Sequence, residues 1–129
     1  MQNQFSLSAK FLTTPEKIYR AWLDSAQHAA MTGAPAEVSD AVNGSFSAWD
    51  GYIFGKNLEL TPCSRIVQAW RTTEFAEDEA DSLVEITLED KGDHTLVLLT
   101  HTQLPAHGSQ YEQGWRDFYF APLQDYFAG

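Results

Sequence analysis

Apolar and polar residues alternate with a period of two through most of this chain and change to a helical period at two places. Phe5, Leu7, Ala9 and Phe11 alternate with Ser6, Ser8 and Lys10, which predicts a half-buried strand facing the core through its odd positions. Thr14-Pro15-Glu16 then marks a helix start: Thr14 is a natural N-cap, Pro15 fits the first helical position, and Glu16 suits the positive end of the helix dipole. Ile18, Tyr19, Trp22 and Leu23 are its expected buried face. Asp24-Ser25 caps a second short helix over 26–31, and Thr32-Gly33-Ala34-Pro35 ends it.

A short edge strand is expected at 38–42, and a stronger strand with Phe46, Ala48 and Trp49 begins after Gly44. Asp50-Gly51 predicts a tight hairpin turn that pairs Trp49 with Tyr52 and Ala48 with Ile53. Strict alternation from Ile53 would put Asn57 and Glu59 inside and Leu58 and Leu60 outside. That conflict predicts a β-bulge near 55–57, where one extra residue restores the apolar side. Residues 65–73 read as a strand centred on Trp70, with Ile66 and Gln68 on the same face, and 83–90 as an amphipathic strand with Val84, Ile86 and Leu88 inside. Lys91-Gly92-Asp93 turns the chain back. Strand 94–104 carries Leu96-Val97-Leu98-Leu99, expected to be covered on both faces or strongly twisted.

Pro105-Ala106-His107-Gly108 ends that strand, and Ser109 offers a cap for a final helix over 109–127. Tyr111, Trp115, Phe118, Pro122 and Tyr126 form one apolar stripe along it, with Tyr119, Leu123 and Phe127 beside them. Pro122 removes a hydrogen bond and crowds Phe118, so a kink is expected there. Such an aromatic helix needs a concave partner, because alone it would expose several large rings. The fold class is therefore α+β: a curved antiparallel sheet wrapped around a long C-terminal helix, with two short helices after strand one, an arrangement called a helix-grip. Residues 1–129 are expected to form a single domain.

Composition narrows the function classes. Eight basic residues against eighteen acidic ones give a formal charge of −10, which argues against nucleic acid and anionic membranes as partners. One cysteine, Cys63, suits a reducing compartment, and no signal peptide or membrane span is visible, so a cytoplasmic protein is expected. His28, His94, His101 and His107 lack metal-ligand spacing; no metal and no cofactor are predicted.

The ordered segments Gly44-Ser45-Phe46-Ser47, Asp50-Gly51-Tyr52-Ile53, Gly55-Lys56-Asn57-Leu58-Glu59-Leu60, Arg65-Ile66-Val67-Gln68-Ala69-Trp70-Arg71 and Gly114-Trp115-Arg116-Asp117-Phe118-Tyr119 with Pro122-Leu123 resemble the activator of Hsp90 ATPase homologue family (AHSA-type). Thr14-Pro15-Glu16-Lys17-Ile18-Tyr19 and His28-Ala29-Ala30-Met31-Thr32-Gly33 are similar to its early segments. The resemblance implies the START-like (SRPBCC) helix-grip fold, also described as birch-pollen-allergen-like. It also implies two functional classes: binding of an apolar ligand between sheet and helix, or action on an Hsp90-type chaperone. The eukaryotic co-chaperone carries an additional N-terminal domain, for which 129 residues are expected to leave no room.

Trp22, Phe46, Trp49, Ile53, Trp70, Ile86, Leu98, Trp115 and Phe118 are the candidate lining of a ligand cavity; the alternative is that they fill the core. Gly55 and Gly114 are expected where backbone approaches closely or where an entrance is left. No catalytic set is predicted. His101 is the best general-base candidate were the protein an enzyme such as a cyclase or hydrolase, with Tyr52, Tyr111 or Tyr119 as proton donors; Cys63 has no evident activating base. The acidic loop 74–81 reads as a solvated hairpin loop or as a docking patch for a basic partner. The reading is a non-enzymatic protein that binds a small apolar or amphipathic ligand, with a co-chaperone-like module as the alternative.

Overall fold

In a computed structural model, residues 4–105 and 110–128 are described. Seven strands form one antiparallel sheet in the order β1-β7-β6-β5-β4-β3-β2, where β1 is Phe5–Phe11, β2 Glu37–Val38, β3 Ser45–Ala48, β4 Ile53–Thr61, β5 Arg65–Thr72, β6 Ser82–Asp90 and β7 Thr95–Thr102. The first strand closes against the last, from Phe5 opposite His101 to Phe11 opposite Thr95. Helices α1 (Pro15–Trp22) and α2 (Ser25–Thr32) follow β1, and the C-terminal helix consists of α3 (Gln110–Trp115), a π-helical turn (Arg116–Phe120) and α4 (Ala121–Ala128). The expected helix-grip is present. The expected helix cap at Ser109 and the turn residues 106–108 lie outside the described residues.

The helix ends follow the local chemistry. Lys17 N donates to Thr14 Oγ1 at 3.3 Å and Gln27 N to Asp24 Oδ2 at 2.9 Å, so each cap satisfies an otherwise orphaned amide. Gly33, at φ 80°, closes α2 with its N–H on Ala29 O. Ile18, Trp22 and Leu23 are buried, and Tyr19 is half-buried.

Three strand expectations are corrected. The edge strand β2 is only Glu37–Val38, not 38–42. The bulge falls at Leu58, between Asn57 opposite Gln68 and Glu59 opposite Val67, just beyond 55–57. It lies there because Asn57 is itself an inward residue: fully buried, it accepts from Gln68 Nε2 at 2.9 Å and donates to Ser39 O and Ala41 O at 2.8 and 3.1 Å. Only after the extra residue does Leu60 turn back toward the core. The apolar run in β7 is not covered on both faces. Val97 and Leu99 are buried, while Leu98 is 42% exposed beside its outward-facing partners Ser8 and Thr87.

The C-terminal helix departs most from its pattern. Tyr111, Trp115, Tyr119, Phe120 and Leu123 are buried, but Phe118 and Tyr126 of the predicted stripe are 57% and 40% exposed. Residues four apart drift about 40° per step around an α-helix, so Tyr111, Trp115, Tyr119 and Leu123 cannot share one face of a regular helix. The wider π turn, in which the Ala121 N–H bonds Arg116 O, absorbs the drift and rotates Phe118 outward. The break precedes Pro122, which has no N–H to give Phe118 O.

Candidate functional site

The N-terminal half of the C-terminal helix does not close fully on the sheet. A cavity of about 550 Å³ lies between it, the β3–β4 turn and β5, lined by Trp49, Tyr52, Ile53, Trp70, Tyr111, Gln113, Gly114, Trp115, Asp117, Phe118 and Tyr119. Its floor is buried at Trp70, Trp115 and Tyr119, and its rim includes the exposed Gln113, Asp117 and Phe118. One wall is set by the hairpin. Trp49, Asp50 and Gly51 all have positive φ, and Tyr52 N bonds Trp49 O at 3.2 Å, which turns Trp49 toward the helix, where its ring meets Phe118 edge-on at 5.5 Å. Trp49 Nε1 is buried without a hydrogen-bond partner among the described residues.

Of the expected lining residues, Trp49, Ile53, Trp70, Trp115 and Phe118 meet at this cavity. Trp22, Phe46 and Ile86 are buried elsewhere in the core; Trp22 stacks on the outer side of Trp115 at 6.3 Å. Leu98 lies on the outer face of the sheet, because period-two alternation admits Val97 and Leu99 instead. Tyr52, Tyr111 and Tyr119, weighed before as proton donors, line the wall. The two glycines divide. A Cβ on Gly55 would lie 1.9 Å from Ala69 O, so this residue serves close strand approach, whereas at Gly114 the nearest atom would be Phe118 Cδ2 at 4.0 Å and the space is open.

Two polar groups of the floor, the Trp115 N–H and the Tyr119 hydroxyl, are paired with buried histidines. Trp115 Nε1 donates to His101 Nδ1 at 3.0 Å, which leaves the imidazole proton on Nε2; that N–H donates to Ser82 Oγ at 2.7 Å, and the hydroxyl donates to Trp70 O at 2.8 Å. Burial pushes the His101 pKa down to about 3, so the ring is neutral. Both nitrogens are occupied, and neither is left to take a proton from a bound molecule. His28 uses the opposite tautomer: its Nδ1–H donates to Trp22 O at 2.9 Å, and Nε2 accepts from the Tyr119 hydroxyl at 3.1 Å. Burial lowers the pKa of His28 and raises that of Tyr119.

At the rim, the Tyr52 hydroxyl donates to the Glu74 carboxylate, and Tyr111 and Thr72 share a hydrogen bond of 2.7 Å. Burial, and then the Glu74 carboxylate, raise the Tyr52 pKa. The neighbouring acidic loop is folded around Arg71, whose guanidinium holds Asp81 at 2.8 Å and the carbonyls of Ala76 and Glu79, and lies over the ring of Phe75. Phe75 is buried against Trp70. Among the described residues no group of His, Cys, Asp and Glu is placed to hold a metal, and no helix is long and apolar enough to cross a membrane.

This arrangement of sheet, helix and cavity can be compared with known proteins. A family model described as "Activator of Hsp90 ATPase homolog 1-like protein" matches residues 12–128. The chain belongs to this family. The human "Activator of 90 kDa heat shock protein ATPase homolog 1" is 30% identical over 125 residues, a match covering 96% of this chain and 37% of that protein. The chain thus spans little more than a third of that relative. Among solved structures, an HSP90 activator from Plasmodium falciparum is 25% identical with a TM-score of 0.89, covering 97% of this chain and 96% of its own. The solution structure of the Aha1 dimer from Colwellia psychrerythraea shares the fold at 17% identity, with a TM-score of 0.82 and coverage of 96% and 95%.

The hidden parts of the site are its polar pairs. No short motif joins Trp115 to His101, or Tyr119 to His28, since each pair is made only when the helix lies across the sheet. Trp49 had a local signal, the Asp50-Gly51 turn that re-aims it.

Proposed function

We propose that this AHSA1-like chain is a single-domain, cytoplasmic, non-enzymatic binding protein that takes a small apolar or amphipathic molecule into the cavity between its sheet and C-terminal helix. The observation that carries this reading is the cavity itself: about 550 Å³, walled mostly by aromatic rings and reaching the surface at Phe118 and Asp117. That volume lies within the range of small-molecule sites. The floor contributes apolar contact through the rings of Trp70, Trp115 and Tyr119, and the Trp115 N–H and Tyr119 hydroxyl are already paired. Native mass spectrometry of the protein purified from its own host tests the reading. A reproducible extra mass that is lost on denaturation supports it; no adduct, together with no thermal shift from a panel of lipids and aromatic compounds, overturns it.

A second reading, action on an Hsp90-type ATPase, is supported by family membership and by the net charge of −10. Loop 74–81, ordered by Arg71, is the surface for such a partner. Salt-sensitive binding to an Hsp90-type chaperone, weakened by the combined replacement of Glu77, Asp78 and Glu79 with the corresponding amides, is its signature.

A further inference from the structure

We infer that the molecule this cavity selects is an organic cation, an ammonium group carried on an apolar body; the inference rests on the ligand-binding reading above. Among the described residues the lining contains no Lys, Arg or His, and its one acidic side chain is Asp117. Asp117 accepts a hydrogen bond from Gln113 Nε2 at 3.0 Å and has no cationic partner among the described residues. The Glu74 carboxylate accepts from the phenol of Tyr52, a lining residue, and also has no cationic partner among the described residues. Nearby arginines are committed elsewhere, Arg71 to Asp81 and Arg116 to Glu112. Two carboxylates without counter-ions among the described residues are therefore attached to an aromatic cavity, Asp117 in its lining and Glu74 on the phenol of Tyr52, in a protein with a net charge of −10.

Each of these features favours positive charge. Aromatic rings attract a cation through their quadrupole, and groups of Trp and Tyr suit weakly hydrated ammonium ions, whose desolvation costs less than that of a compact ion. The carboxylates beside the cavity repel an anion. A neutral molecule of the same shape gains burial alone.

The test compares benzyltrimethylammonium with neopentylbenzene, its uncharged isostere, and with 3-phenylpropionate, following the indole N–H signals of the full chain by NMR. The cation is expected to bind at least about tenfold more tightly than the isostere, about 1.4 kcal/mol, which lies between the values for an exposed and a desolvated cation–π contact. The double variant E74Q/D117N should lower that ratio while leaving the share due to the rings; both side chains are exposed, and an unchanged melting temperature confirms folding. If the isostere or the carboxylate binds as tightly as the cation, the cavity is a binding site and the cation inference falls. If no probe moves the signals of Trp49, Trp70 or Trp115, both readings fall.

Discussion

The indole N–H of Trp115 donates to Nδ1 of His101 across 3.0 Å, joining the C-terminal helix to strand β7 through a histidine fully buried beneath the cavity. This bond and the Nδ1–H of His28 fix opposite tautomers. Nitrogen NMR at neutral pH should show the Nε2–H form for His101 and the Nδ1–H form for His28, both uncharged. An imidazolium signal from either ring would overturn the assignment.

The same burial makes stability depend on pH. His101 has a folded pKa of about 3 against an ordinary value near 6.5, and His28 is shifted in the same direction. Between these values the unfolded chain binds protons that the folded one excludes, so this contribution is complete above pH 6.5 and is lost as pH falls toward 3. From pH 6.5 to 5, before most carboxylates titrate, His101 should remove up to about 1.4 kcal/mol per pH unit, and His28 adds to the loss in the same direction. Denaturant unfolding checks this, and His101→Gln should flatten the slope while lowering stability at pH 7.

Trp115 and Trp49 both line the cavity, but they should respond differently to substitution. Trp115 is 2% exposed and satisfies His101, so Trp115→Ala should cost about 3–5 kcal/mol. Trp49 is half-buried, with a free Nε1. Trp49→Phe removes an N–H that has no partner among the described residues and should leave stability within about 1 kcal/mol, while the smaller ring weakens an apolar ligand several-fold. Paired melting and titration measurements separate the two effects.

Gly55 and Gly114 should also diverge. Gly55→Ala forces a methyl against the Ala69 carbonyl in the paired strand and should destabilise by about 1–3 kcal/mol or more. Gly114→Ala meets no close atom and should stabilise the helix by about 0.5–1 kcal/mol while narrowing the cavity. Equal effects from the two substitutions would contradict the geometry.

Asn57 and Gln68 form a buried amide pair that ties the 39–44 loop to β4 and β5. Asn57→Ala should cost about 2–3 kcal/mol, because Gln68 and two loop carbonyls lose their partner. A double-mutant cycle with Gln68→Ala should return a coupling of about 0.5–3 kcal/mol.

Local chemistry determined much of this protein from the sequence alone. The alternation of β1, β5 and β6, the Thr14 and Asp24 caps and the Ala48–Ile53 register all depend on neighbours a few residues away, so a linear pattern carries them. Tertiary structure decided the rest. Whether Leu98 or Leu99 faces inward is a choice between two equivalent registers of an apolar run, settled by pairing with β1 and β6. Phe118 leaves the core because burying Tyr111, Trp115, Tyr119 and Leu123 together requires a π turn that no helical periodicity displays. The hydrogen bonds that Trp115 and Tyr119 donate to His101 and His28, and that fix their tautomers, join residues 14 and 91 positions apart. A cavity is likewise what remains after side chains from the turn, sheet and helix have packed, a volume that exists only in three dimensions.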